Sequence, residues 1–168
     1  MPTEVRQSIT INRPRMEVYA YWRELKNLPN FMEHLVSVRG NEDGMTHWVA
    51  KAPLGQTVEW TAELVLDRPG EVISWRSVAH ADVTNAGEVQ FRDADGGKGT
   101  EVEVHLSYDP PAGKLGTIVT KLFGEEPEGQ IRDDLERFKR LMETGSADED
   151  NLAALAGDDT VGGSVDVR

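Results

Sequence analysis

Thr57 to Leu66 reads TVEWTAELVL, and its alternation decides the fold. Val58, Trp60, Ala62, Leu64 and Leu66 share one side of an extended chain, while Thr57, Glu59, Thr61 and Glu63 share the other. Successive side chains of a strand point to opposite faces, so this stretch predicts a strand with an apolar side and a wet side. Residues 101–108 repeat the division, with Val102, Val104, Leu106 and Tyr108 against Glu101, Glu103, His105 and Ser107. Such alternation belongs to an antiparallel sheet packed on one face only.

Working outward, period-two patterning predicts strands near 35–41, 45–52, 56–67, 71–78, 85–93 and 99–108, with a first strand over 5–11 (VRQSITI). The breaks between them carry turn residues: Glu42-Asp43-Gly44, Pro53-Leu54-Gly55, Asp67-Arg68-Pro69-Gly70 and Asp95-Gly96-Gly97-Lys98-Gly99. Connections this short join antiparallel neighbours. Between the first two strands, Asn12-Arg13-Pro14 starts a helix through Val18, Trp22 and Leu25, which Pro29 ends, and Phe31-Met32 falls on a second short helix or turn. After Asp109-Pro110-Pro111 the period becomes helical at Leu115, Ile118, Val119 and Leu122, and restarts at Glu126-Pro127. Ile131, Leu135, Phe138 and Met142 then form the apolar stripe of an amphipathic helix closed by Gly145.

The chain of 168 residues carries 18 basic and 30 acidic residues, a net charge of −12. That charge disfavours nucleic acid and anionic membrane surfaces as partners. Without cysteine, disulfides, thiolate catalysis and thiolate-held metals are excluded. No apolar run reaches the roughly 20 residues that span a bilayer, and the opening MPTEVRQSITI is not an apolar leader, so a cytoplasmic protein without stable membrane insertion is expected. Residues 146–168 belong to a stretch with six acidic side chains, one arginine and no aromatic residue. It cannot bury enough apolar surface to offset its ordering entropy, which predicts a disordered acidic tail behind a single domain of residues 1–145.

The expected order is β-α-α-β-β-β-β-β-β-α, an α+β fold: a curved antiparallel sheet of about seven strands wrapped on a long C-terminal helix. The segments INRPRMEVYAYWRELKNLPNFM, VEWTAELVLDRPGEVISWRS, NAGEVQF, GTEVEVHLSYDPPAG and LFGEEPEGQIRDDLERFKRLMETG carry this order over residues 3–145. In these segments the chain resembles the START-like helix-grip superfamily (Bet v 1-like, SRPBCC), and within it bacterial polyketide cyclase/dehydrase proteins of the coenzyme Q-binding START domain group. The resemblance implies a fold that binds, carries or transforms hydrophobic molecules. It implies no shared catalytic motif.

A helix laid across a strongly curved sheet leaves space beneath it, and such hollows take small molecules. The binding candidates are therefore the inward residues, above all those other than simple aliphatics (Trp48, Trp60, Trp75, Asn85, Phe91, Tyr108 and Phe138), with Ile118 and Leu122 from the helical stretch beside them. Trp60 and Trp75 stand out because their strand neighbours, Ala62 and Ser77, are small, and an indole can stack on a flat guest and donate to a carbonyl. Asn85 opens its strand, where it serves either a cavity mouth or a turn. Arg76 alternates with Trp75 and Ser77 and should face solvent. His34, His47, His80 and His105 have no metal-like spacing, and none shows an oriented acid–base partner in the sequence. The Asp95–Gly99 run reads as a hairpin turn, since the spacing of a phosphate loop is missing.

Three functions are compatible with these features. The first is binding or carriage of a hydrophobic small molecule such as a quinone, a lipid or an aromatic polyketide-like compound, with no metal or cofactor. In it, the segment 110–126, flexible at Gly113, Gly116 and Gly124, would move to admit the guest. The second is a cyclase or dehydratase in the same hollow, which requires two titratable side chains to converge there. The third is a protein-interaction module using the acidic tail.

Overall fold

A computed structural model describes residues 3–41, 43–78, 81, 84–109 and 127–145. The strands are β1 (Thr3–Ile11), β2 (Leu35–Gly40), β3 (Thr46–Lys51), β4 (Thr57–Arg68), β5 (Val72–Ser77), β6 (Thr84–Asp93) and β7 (Thr100–Asp109). Helix α1 (Arg15–Arg23) follows β1, and α2 (Pro127–Thr144) follows β7 in the described chain. Every strand lies within a few residues of its predicted place, because alternation and turn residues are both local signals.

The strands form one antiparallel sheet in the order β1-β7-β6-β5-β4-β3-β2. From β2 to β7 this is a meander, and β1 closes onto β7 in continuous register from Thr3↔Tyr108 to Ile11↔Thr100. Gly99, just ahead of β7, has a φ of +88° and lies so close to β1 that a Cβ there would sit 2.6 Å from the Ile11 carbonyl oxygen. Only glycine accepts both conditions.

Helix α2 buries Ile131, Leu135 and Phe138, as its stripe predicts. It also ties the two edges of the sheet together. Lys139 donates to the Thr10 carbonyl at 2.8 Å and Arg13 to the Met142 carbonyl at 3.0 Å, which anchors α2 along β1. Arg137 Nε donates to the Phe31 carbonyl at 3.0 Å, which anchors it to the segment leading into β2. Beneath the helix, Trp22, Phe31 and Phe138 pack with centroid distances of 4.6–5.2 Å. Burying each such ring contributes roughly 2–3 kcal/mol.

Two local expectations are corrected. The first helix ends at Arg23, because Glu24 leaves the helical region with ψ 83°, and Pro29 sits inside a separate 3-10 turn over Leu25–Asn30 that turns Leu25 and Leu28 into the core. In β4 the pairing with β5 shifts between Leu64 and Leu66. The extra residue breaks the alternation, so Leu66, expected on the apolar face, is 40% exposed. The predicted helical stretch at 115–122, the moving segment 110–126, His80 and the tail 146–168 lie outside the described residues.

Candidate functional site

At one end of the sheet the apolar face does not close completely under α2. The hollow there is walled by Trp48, Trp60 and Trp75 from three adjacent strands, and by Asn85, Ala86, Leu106, Ser107 and Tyr108 from β6 and β7. Met32 and His34 contribute from the segment leading into β2, Leu35 from its first position, and Ile131 from α2. Its free volume is about 50 Å³, within about 510 Å³ of non-atom space that runs out to solvent. That is room for a few waters, well short of the several hundred Å³ of a drug-sized site.

The tryptophans explain the shortage. Trp48 and Trp60 face each other across the β3–β4 register, with ring centroids 5.9 Å apart and planes 20° from parallel. Trp75 stacks on Trp48 at 5.8 Å and 23°. The Trp48 indole N–H donates to Thr46 Oγ1 at 2.8 Å, which fixes that ring. The buried Trp60 indole nitrogen has no hydrogen-bond partner among the described residues. Trp75 lies across β6 where that strand has no side chain, since a Cβ on Gly87 would be 2.2 Å from its Cζ2 atom.

Of the predicted positions, Trp48, Trp60, Trp75, Asn85 and Tyr108 come together around the hollow. Asn85 and Tyr108 are register partners on β6 and β7, and the Asn85 backbone N–H donates to Ser77 Oγ at 3.0 Å. Phe91 and Phe138 are placed elsewhere. Phe91 packs edge-on against Tyr19 and Trp22, and Phe138 is fully buried against Trp22 and Phe31. Both point inward as alternation requires, but into the aromatic cluster with Trp22 and not into the hollow. Ile118 and Leu122 lie outside the described residues. Arg76 is exposed and pairs with Glu63 at 2.6 Å, so its outward direction stands as read.

The sequence shows no partner for His34, and the structure supplies one in Asp134. His34 lines the hollow, and its Nδ1 lies 3.7 Å from Oδ2 of Asp134 on α2. Burial, with the positive charges of Arg137 and Lys51, pushes His34 down to about 4, so the imidazole is neutral at neutral pH. Burial pushes the Asp134 carboxyl up to about 6 against the pull of its Arg137 partner. A neutral imidazole offers one donor and one acceptor. The available signal was Asp134 itself, a carboxylate placed among Ile131, Leu135 and Phe138 on the apolar stripe. Among the described residues no three His, Asp or Glu side chains are grouped to hold a metal, and no helix is long and apolar enough to cross a membrane.

Comparison with known proteins agrees with this architecture. A crystal structure of the Deinococcus radiodurans protein DR_A0006 is 46% identical, with a TM-score of 0.70, and the match covers 85% of this chain and 98% of that one. The Thermus thermophilus protein TTHA0849 shares the fold at 24% identity and a TM-score of 0.65, over 86% of this chain and 99% of that one. The Zhui aromatase/cyclase from a Streptomyces species shares it at 14% identity and a TM-score of 0.65, over 86% and 98%. No curated protein matches the chain. Residues 11–136 match the family described as polyketide cyclase/dehydrase and lipid transport, and the chain, with its seven-stranded curled sheet gripping a C-terminal helix, belongs to that family.

Proposed function

We propose that this protein binds and carries a hydrophobic small molecule in the hollow between the sheet and α2. A quinone, a lipid or an aromatic polyketide-like compound has the required chemistry. The observation that carries the reading is the wall itself, in which three stacked indoles and aliphatic side chains surround a few polar groups. Apolar walls supply the affinity, and the few inward polar side chains (Asn85, Tyr108 and His34) orient the guest. The family description and the likeness to an aromatase/cyclase support the same class of molecule. Because the free volume is only about 50 Å³, binding requires the hollow to widen. Native mass spectrometry of protein purified from its own host tests this, with a co-purifying apolar compound as the expected result. Guest-free protein that also leaves tryptophan fluorescence unchanged in titrations with quinones, fatty acids and polycyclic aromatics overturns it.

A second reading, a cyclase or dehydratase, gains one specific observation. Two titratable side chains, His34 and Tyr108, both line the hollow, and Asp134 stands behind the histidine. Loss of water from a poly-carbonyl compound, followed by mass and abolished in His34→Gln and Tyr108→Phe variants that still bind, would establish turnover over carriage.

A further inference from the structure

We propose that Trp75 occupies its own protein's binding slot, and that the guest is a planar bicyclic aromatic which displaces the Trp75 indole and stacks on Trp48 in its place. This rests on the ligand-binding reading above and names the guest's shape and the residue that admits it.

The three rings are not equivalent. Trp48 is held by its hydrogen bond to Thr46 and by Trp60 directly across the register. Trp75 stacks on Trp48 alone among the tryptophans, and its register partners are Leu64 and Gly87. Its six-membered ring edge lies against the bare backbone of β6, where a Cβ on Gly87 would stand 2.2 Å from Cζ2, 2.5 Å from Cε2 and 2.9 Å from the Leu106 Cδ2. In mid-strand a glycine loses packing and costs chain entropy, so one here marks a close approach. The approach is that of the indole.

Withdrawing this one side chain leaves a slot of defined shape. One wall is the exposed ring face of Trp48, the floor is peptide backbone at Gly87, and Leu106 closes the side. A slot vacated by an indole is one ring thick and two fused rings long. That fits a naphthalene-like or naphthoquinone-like molecule, and it disfavours a bent or branched one. Self-occupancy also reconciles a free volume of about 50 Å³ with a guest of that size. Because the open form is a minority, the apparent affinity falls by its fraction, and removing the plug restores it.

The test uses the full chain labelled with 5-fluorotryptophan, whose four residues give four fluorine resonances assigned by single Trp→Phe variants. The probe is 1,4-naphthoquinone, and the absence of cysteine removes its usual thiol adducts. The expected result is a shift or exchange broadening of the Trp75 resonance on titration, with Trp22 unmoved. Trp75→Ala should bind the probe at least tenfold more tightly than the wild type. Binding that shifts Trp48 or Trp60 while Trp75 stays in place overturns the plug but leaves the ligand-binding reading intact. Absence of binding by the wild type and by folded Trp75→Ala overturns the plug, and if quinones, fatty acids and polycyclic aromatics also fail to bind, it overturns that reading as well. The wild-type spectrum decides the matter even where Trp75→Ala folds poorly.

Discussion

Nδ1 of His34 and Oδ2 of Asp134 lie 3.7 Å apart beneath α2, and burial drives both groups toward their neutral forms. Their effects on stability run in opposite directions with pH. Asp134 is raised from 3.8 to about 6, so its contribution is present below pH 3.8 and is lost as pH rises through 6. His34 is lowered from 6.5 to about 4, so its folded form loses stability as pH falls from 6.5 through 4. Each span of about two units corresponds to on the order of 3 kcal/mol. The two oppose each other in the wild type between pH 4 and 6.

Removing one member should expose the other. Asp134→Asn is expected to gain stability as pH rises from 4 to 6.5, and His34→Gln to lose stability over pH 4–6. Urea unfolding at half-unit pH steps reads both slopes. Equal slopes in the two variants would remove the pair as their source.

Arg137 holds Asp134 and reaches the Phe31 carbonyl, so its loss strands a buried carboxylate. Arg137→Ala should cost about 3–5 kcal/mol at neutral pH. The cost should shrink below pH 6, where Asp134 takes up a proton. Denaturant midpoints at pH 7.5 and pH 5 compare the two conditions, and a penalty independent of pH counts against this account.

Gly87→Ala normally improves a strand, because glycine is a poor strand former. Here the added Cβ meets the Trp75 ring and Leu106, so about 1–3 kcal/mol of destabilisation is expected, with a changed near-ultraviolet circular dichroism spectrum from the tryptophan stack. A stabilised variant with an unchanged spectrum would show that Trp75 does not lie on β6.

Phe138→Ala separates the aromatic core from the hollow. Phe138 is fully buried against Trp22 and Phe31, so the loss should be roughly 3–5 kcal/mol. Affinity for an apolar probe should change little, whereas Trp48→Ala should weaken it at least tenfold. Isothermal titration of both variants below their unfolding midpoints provides the comparison.

Leu54 sits at the β3–β4 turn with a φ of 62° and is 96% exposed. A side chain in the left-handed region costs about 1 kcal/mol with no packing in return. Leu54→Gly should raise stability by roughly 0.5–1 kcal/mol in urea unfolding, and a loss would mean that the leucine makes a contact which offsets its strain.

Strand order, turns, the amphipathic α2 and the inward direction of Trp48, Trp60, Trp75 and Tyr108 were all legible in the chain, because alternation and helical period are written in neighbouring residues. Where alternation is interrupted, local reading fails: nothing in ELVLDR marks the extra residue that turns Leu66 outward. Inward direction also could not separate Phe91 and Phe138, packed against Trp22, from Trp75 at the hollow, since all obey the same pattern.

The sequence alone determined that one apolar sheet face would be covered by α2. The tertiary structure alone decided how much space remains there, because that volume depends on side-chain rotamers and on the approach of Trp75 to Gly87 across two strands. It alone also joined His34 to Asp134. The two stand one hundred residues apart, and only closure of α2 over the start of β2 takes them out of water together, which gives each its shifted charge.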